Sequence, residues 1–126
     1  YQQFAVIKKM TEQCNLKVKL IGCETIRNEG GLALSSRNQN LNTKQLKDAL
    51  IIINTLNFVK ENQERWDVVT LKENATRYFD SSSLSLEYLG IVHSDTFEEI
   101  EVVSSKAVCC ISAYCNGVRL IDNIIL

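Results

Sequence analysis

The 126 residues are 45% hydrophobic, with 14 basic and 15 acidic side chains and a formal net charge of -1. That length and composition suit one ordinary domain with a moderate core, and the even charge balance excludes the broad positive field that holds nucleic acid or an anionic membrane surface. The longest apolar runs, such as ALIII at 49–53 and AVCCI at 107–111, fall far short of the ~20 residues of a membrane-spanning helix, so neither nucleic acid nor membrane is an expected partner.

In chain order, residues 3–14 place Phe4, Ile7, Met10 and Cys14 at helical spacing with charges between them, which predicts an amphipathic helix ended by Asn15. The alternation of Leu16, Val18 and Leu20 with lysines then predicts a strand over 16–22, and helix followed by strand is half of an alternating α/β unit. From Cys23 to Asn42 periodicity fails, and Gly30-Gly31 mark a backbone free to take positive φ. A helix start follows. Asn42 is a good N-cap with Gln45 three residues later, and Leu41 and Leu46 stand at the hydrophobic-staple positions. This helix is expected to run to about Lys60, burying Leu46, Leu50, Ile53 and Leu56 with Ala49 and Val59 beside them.

A second helix is expected from about Arg65 to Phe79, with Trp66, Val69 and Ala75 among its apolar positions, ended by the DSSS run at 80–83. LSLEYLGIVHS reads as a buried strand, with Leu84, Leu86, Tyr88 and Val92 on one face and Leu89 and Ile91 on the other. SDTFEEI reads as a capped turn or short helix. Asn116-Gly117, between KAVCCISAYC and VRLIDNIIL, is the preferred two-residue turn, so an antiparallel hairpin over 106–124 closes the chain.

Five cysteines, odd in number and without metal-ligand spacing, fit a reduced, cytoplasmic setting and no bound metal. Cys109 and Cys110 are adjacent in a strand and are expected to fill opposite faces. Arg119 and Asp122, an odd number of residues apart, are expected on opposite faces as structural partners of other elements. His93, the one histidine, has no spaced companion and reads as a surface or satisfied side chain. The glycosylation triplet at 74–76 is discounted for want of a secretory signal. The chain contains no proline, and its start at Tyr1 rather than Met suggests in addition a processed chain or an excised piece.

GLALSSRN at 31–38 supplies backbone N–H groups, two hydroxyls and a guanidinium within a few residues, the parts needed to grip phosphate oxygens. On composition alone the same residues also fit a solvated loop. YQQFAVIKKM, GLALSSRN and GVRLIDN, in that order and spacing, resemble pantothenate synthetase (pantoate-beta-alanine ligase), and all 126 residues resemble its C-terminal portion.

The elements in order read as an α+β chain, with residues 1 to about 30 as the tail of a parallel α/β unit and 43–126 as a helix pair followed by a small antiparallel sheet. The resemblance implies that 1–30 ends a Rossmann-like nucleotide-binding domain, that 31–42 is a phosphate-binding loop, and that 43–126 is the smaller C-terminal domain. It implies an ATP-dependent ligase of coenzyme A precursor synthesis, in which pantoate and ATP give pantoyl adenylate and pyrophosphate, and the amine of β-alanine then displaces AMP. Magnesium with ATP, and a homodimer, are implied as well. Gln3 matches a pantoate-binding glutamine; Ile26, Leu34, Ser35, Ser36 and Arg37 match the ATP-binding positions, with Arg37 stabilising charge in the transition state.

The family's Pro-Thr-Val-Arg-Glu-x-Asp-Gly stands here as Glu24-Thr25-Ile26-Arg27-Asn28-Glu29-Gly30-Gly31, with Glu29 as the nearest replacement for the lost acid. The family's His-x-Gly-His motif is beyond what one histidine supplies, so no catalytic residue other than Arg37 is expected in this chain, and no activity from it alone. A non-catalytic binding or dimerisation module of the same fold, or another adenylyl-forming enzyme, would share these residues.

Overall fold

The structure is a computed structural model and describes residues 1–104 and 106–126. It contains helices α1 (Gln2–Gln13), α2 (Thr43–Asp48), α3 (Leu50–Asn62) and α4 (Val68–Phe79), a 3₁₀ turn (Ser36–Asn40), and strands β1 (Ser85–His93), β2 (Ala107–Cys115) and β3 (Val118–Ile125). The strands form one antiparallel sheet in the order β1-β2-β3. This is the expected α+β architecture. No helix among the described residues is long and apolar enough to cross a membrane.

Helices α2 and α4 start where side chains satisfy free N–H groups of the first turn. Asn42 and Gln45 form a reciprocal capping box on α2, with bonds of 2.9 and 2.8 Å, and Leu41 is buried beneath it. The single helix expected over 43–60 is divided at Ala49, where the Ile52 N–H bonds the Ala49 carbonyl at 3.1 Å in an i to i−3 manner. Ala49, Ile52, Ile53, Leu56 and Val59 are buried at helical spacing, while Leu46 and Leu50 are half-buried at the margin. Helix α4 starts three residues later than expected, because Asp67 caps it by accepting from the Thr70 N–H at 2.8 Å. That start puts Val68, Leu71, Ala75 and Phe79 in the core and leaves Val69 67% exposed, against expectation. Phe58 stacks on Tyr78 between α3 and α4, with ring centroids 5.1 Å apart.

These helices cover one face of the sheet, which presents Ile91, Cys109, Ile111, Ala113, Cys115 and Leu120 to them. Strand β1 reaches that face by an irregularity. Its pairing with β2 shifts between Leu86 and Tyr88, so Leu84 and Leu86 before the bulge, and Leu89 and Ile91 after it, all pack on the core. Simple alternation had put Leu86 and Leu89 on opposite faces. The β2–β3 hairpin forms as expected, with Asn116 and Gly117 at φ of 48° and 78°. The segment after β1 turns without forming a helix, and Glu99 bridges back to Val92.

Strand β3 is an edge, and side chains meet several of its outward backbone groups. The Asn123 N–H donates to Asp122 Oδ1 at 2.8 Å, Arg27 Nη2 donates to the Asn123 carbonyl at 3.5 Å, and Lys60 Nζ donates to the Ile125 carbonyl at 3.1 Å.

The N-terminal 26 residues pack differently. Helix α1 forms as expected, but Thr11 is its one buried residue. Its start lies against the outer face of the sheet: Tyr1 Oη donates to the Ser94 carbonyl at 3.2 Å, and the Tyr1 and Phe97 rings meet edge to face. The strand expected over 16–22 does not form. An extended segment becomes a strand only by sharing backbone hydrogen bonds with a neighbour, and none of the described residues pairs with it. Leu16, Val18 and Ile21 are exposed, as are Val6, Ile7 and Met10 of α1.

Cys109 and Cys110 are both buried, on opposite faces of β2, and burial pushes the Cys109 thiol up to about 12. Cys14 and Cys23 are exposed. Alkylation of the native chain with iodoacetamide at pH 8 should therefore add two groups by intact mass, at Cys14 and Cys23, and five after denaturation. Rapid native labelling of Cys109 would contradict this packing.

Candidate functional site

Residues 26–34 form a small hairpin of their own. The Leu34 N–H donates to the Ile26 carbonyl at 2.9 Å, Arg27 and Ala33 bridge, and the Asn28 N–H donates to the Leu32 carbonyl at 3.0 Å. Gly31 occupies the turn at φ +88°, a conformation that strains any residue with a Cβ. The side chain that organises the turn is Asn28, whose Oδ1 accepts from the Gly30 and Leu32 N–H groups at 3.0 and 2.9 Å. Glu29, the nearest replacement for the motif's acid, is exposed.

The chain then leaves in extended form through Ser35, which caps the 3₁₀ turn by accepting from the Arg37 N–H at 3.2 Å. Asn38 Nδ2 donates back to the Ala33 carbonyl at 3.0 Å, fixing the turn against the hairpin. These bonds use the Ser35 oxygen as acceptor and leave its hydroxyl proton free to donate.

Beside this turn lies a cavity of about 340 Å³, within the range of small-molecule sites. Gln3, Leu34, Ser35 and Arg37 line it on the loop side, and Arg119 and Asn123 of β3 line the other. Four of the six site residues expected from the sequence therefore meet around one space, although Gln3 is more than thirty positions away in α1. Ser36 is exposed next to the lining. Ile26 is 73% exposed and takes part through its carbonyl, which holds Leu34.

Two guanidinium groups reach the cavity, and they differ in state. Arg119 is committed: its Nε and Nη2 each meet Glu87 Oε2 at 2.7 Å, and that hydrogen bonding holds the Glu87 carboxyl below its ordinary value. Arg37 is exposed and has no ion-pair partner among the described residues. It is the charge available to an anionic ligand. A larger cavity of about 650 Å³ lies elsewhere, but Glu64, Asp67 and Glu101 line it without a cation, which disfavours phosphate there. Among the described residues no group of three His, Cys, Asp or Glu side chains converges to hold a metal ion.

Sequence reasoning placed Arg119 and Asp122 on opposite faces with separate partners, and each has one: Glu87 for Arg119, Arg27 for Asp122. It did not find Arg27. The signal was present in Asp122 itself, a carboxylate at a core-facing position between Leu120 and Ile124, which demands a cation. The outward positions of Asn38 and Asn123 were not legible, since nothing in their local sequence sets them at a cavity wall.

The whole length matches known proteins. Residues 1–125 match the family described as pantoate-beta-alanine ligase. The chain is 37% identical over 130 residues to a pantothenate synthetase of Leptospira interrogans, covering 100% of this chain and 45% of that protein. It is 35% identical over 128 residues to the pantothenate synthetase of Caldicellulosiruptor bescii, at 99% and 45% coverage. Among solved structures, the pantothenate synthetase of Thermus thermophilus superposes with a TM-score of 0.93 at 28% identity, covering 99% of this chain and 46% of that one. The pantoate-beta-alanine ligase of Francisella tularensis, determined with a β,γ-ATP compound and β-alanine, gives 0.64 at 25% identity, with 99% and 40% coverage. The chain thus spans a little under half the length of these relatives.

Proposed function

The chain belongs to the pantoate-beta-alanine ligase family, and from that premise we propose that it is the C-terminal part of an ATP-dependent ligase that condenses pantoate with β-alanine through a pantoyl adenylate. The observation that carries this reading is the meeting of Gln3, Leu34, Ser35 and the unpaired Arg37 around one cavity. In this reading residues 1–30 complete a Rossmann-like nucleotide-binding domain, 31–42 form the phosphate loop, and 43–126 form the C-terminal domain. The exposed apolar residues of α1 and of 16–26 support the first assignment, because they need a further layer to cover them.

When the pantoate carboxylate attacks the α-phosphorus of ATP, negative charge gathers on the departing pyrophosphate. Arg37 neutralises that charge, and the free protons of the Ser35 and Ser36 hydroxyls donate to its oxygens. Gln3 offers an amide that both donates to a carboxylate and accepts from a hydroxyl, which suits pantoate. Magnesium enters with the nucleotide as part of the substrate. The amine of β-alanine then attacks the acyl carbon of pantoyl adenylate, and AMP leaves with the bonding electrons. The complete enzyme works as a homodimer in the cytoplasm.

One wall of a site binds weakly, since several contacts must act together to offset the entropy of ordering ligand and loop. The full-length protein should exchange labelled pyrophosphate into ATP only when pantoate is present, and residues 1–126 alone should make no pantothenate. Failure of the full-length protein to exchange, or pantoate-independent exchange, would overturn the assignment.

A further inference from the structure

Asp122 is 3% exposed by side chain and stands on the core face of β3. Its two oxygens accept from the two ends of one guanidinium: Arg27 Nη1 at 2.6 Å and Nη2 at 2.9 Å. Arg27 is itself 26% exposed, and its Nη1 also donates to the carbonyl of Gly31, the positive-φ residue of the turn, at 3.0 Å. One side chain therefore ties the glycine turn to the C-terminal hairpin, a link across 95 positions of sequence.

A largely buried ion pair adds little net stability over a well-packed apolar pair, because desolvation offsets most of the attraction; what it fixes is relative position. The elements it fixes are those that form the cavity. Arg27 bridges Ala33, the Ile26 carbonyl holds Leu34, and Ser35 and Arg37 follow directly, while Asp122 is flanked on β3 by the opposite wall. Both oxygens of Asp122 and both Nη groups of Arg27 are engaged within the protein.

We propose that Arg27 and Asp122 are positioning residues for adenylation, acting through Arg37 by holding the phosphate loop at a set distance from β3. This rests on the reading of the cavity as the triphosphate clamp. A lysine at 27 would keep the charge but cannot span both carboxylate oxygens and the Gly31 carbonyl at once, so the loop would lose its register while the ion pair survives in part.

The test is a double-mutant cycle in the full-length protein, read by pantoate-dependent pyrophosphate exchange with kcat and the ATP KM separated, alongside thermal melting. Arg27→Lys should lower kcat about tenfold, since displacement of a catalytic group by a fraction of its contact distance has effects of that order, while the protein still melts cooperatively. In an Arg37→Ala background the same change should alter kcat by less than about twofold, because the group it positions is gone. An equal loss in both backgrounds, or no loss in either, would overturn the positioning role and leave Arg27 a purely structural residue. Should Arg37→Ala by itself leave exchange unchanged, the clamp reading fails instead. If Arg27→Lys does not fold, Asp122→Asn, which keeps one acceptor oxygen, takes its place in the cycle; failure of both to fold would make the pair a folding requirement and sink the proposal.

Discussion

Replacing Arg37 by alanine is expected to slow adenylation in the full-length protein by ~10² or more, the usual size of a lost electrostatic contact to charge that develops in a transition state. The loss should fall on kcat for pantoate-dependent pyrophosphate exchange more than on the KM for ATP. The reason lies in the ground state. Arg37 is exposed and held by no carboxylate among the described residues, so its charge is well solvated before reaction and, on the proposed mechanism, would gain most as the pyrophosphate takes on negative charge. Arg37→Lys should fall between, because an ammonium supplies the charge without the planar fork. Addition of β-alanine to preformed pantoyl adenylate should change little. Exchange at the wild-type rate in Arg37→Ala would remove the guanidinium from the mechanism.

Phe79→Ala is expected to destabilise the fold by about 3–5 kcal/mol, the range for deleting a buried aromatic ring. Phe79 is fully buried at the last turn of α4, in the same apolar cluster as Leu71, Ala75 and Ile91. The cavity left behind would be bounded by a helix and a sheet that are fixed by their own hydrogen bonds, so little collapse can fill it. Against a total of roughly 5–15 kcal/mol for a domain, such a loss shifts the urea midpoint markedly at unchanged slope. Val69→Ala, ten positions earlier on the water side of the same helix, should stay within about 0.5 kcal/mol of wild type. Similar midpoints for the two variants would mean that the core is not arranged as described.

Where local chemistry decides the conformation, the sequence was a sound guide. Asn42 with Gln45 announced the start of α2 because their side chains can bond each other's backbone, and Asn116-Gly117 announced the hairpin because both residues tolerate the positive φ of its turn. The break in periodicity at Gly30-Gly31 was legible for a similar reason, and the structure makes that stretch a tight turn with Gly31 at positive φ. Failures came where partners lie far apart. The alternation at 16–22 is that of a strand, yet strand structure belongs to a pair, and the described residues offer no mate. The bulge near Glu87 changes which residues of β1 face the core, and only pairing with β2 reveals it. The role of Arg27 is hidden for the same cause, since the carboxylate that it pairs with lies 95 residues downstream at Asp122.

The cations along the free rim of β3 also bear on how this protein meets its own copies. A rim of unsatisfied carbonyls invites another chain to lengthen the sheet, but here the Asn123 and Ile125 oxygens are occupied by Arg27 and Lys60, and the Asn123 amide by a neighbouring carboxylate. Strand-to-strand growth along that stretch would have to expel two positive charges from their acceptors, one of them also bound to a buried aspartate. Self-association, in whatever form it takes, is thereby steered to other surfaces, and an open-ended stack of sheets is disfavoured by the same arginine that anchors the glycine turn.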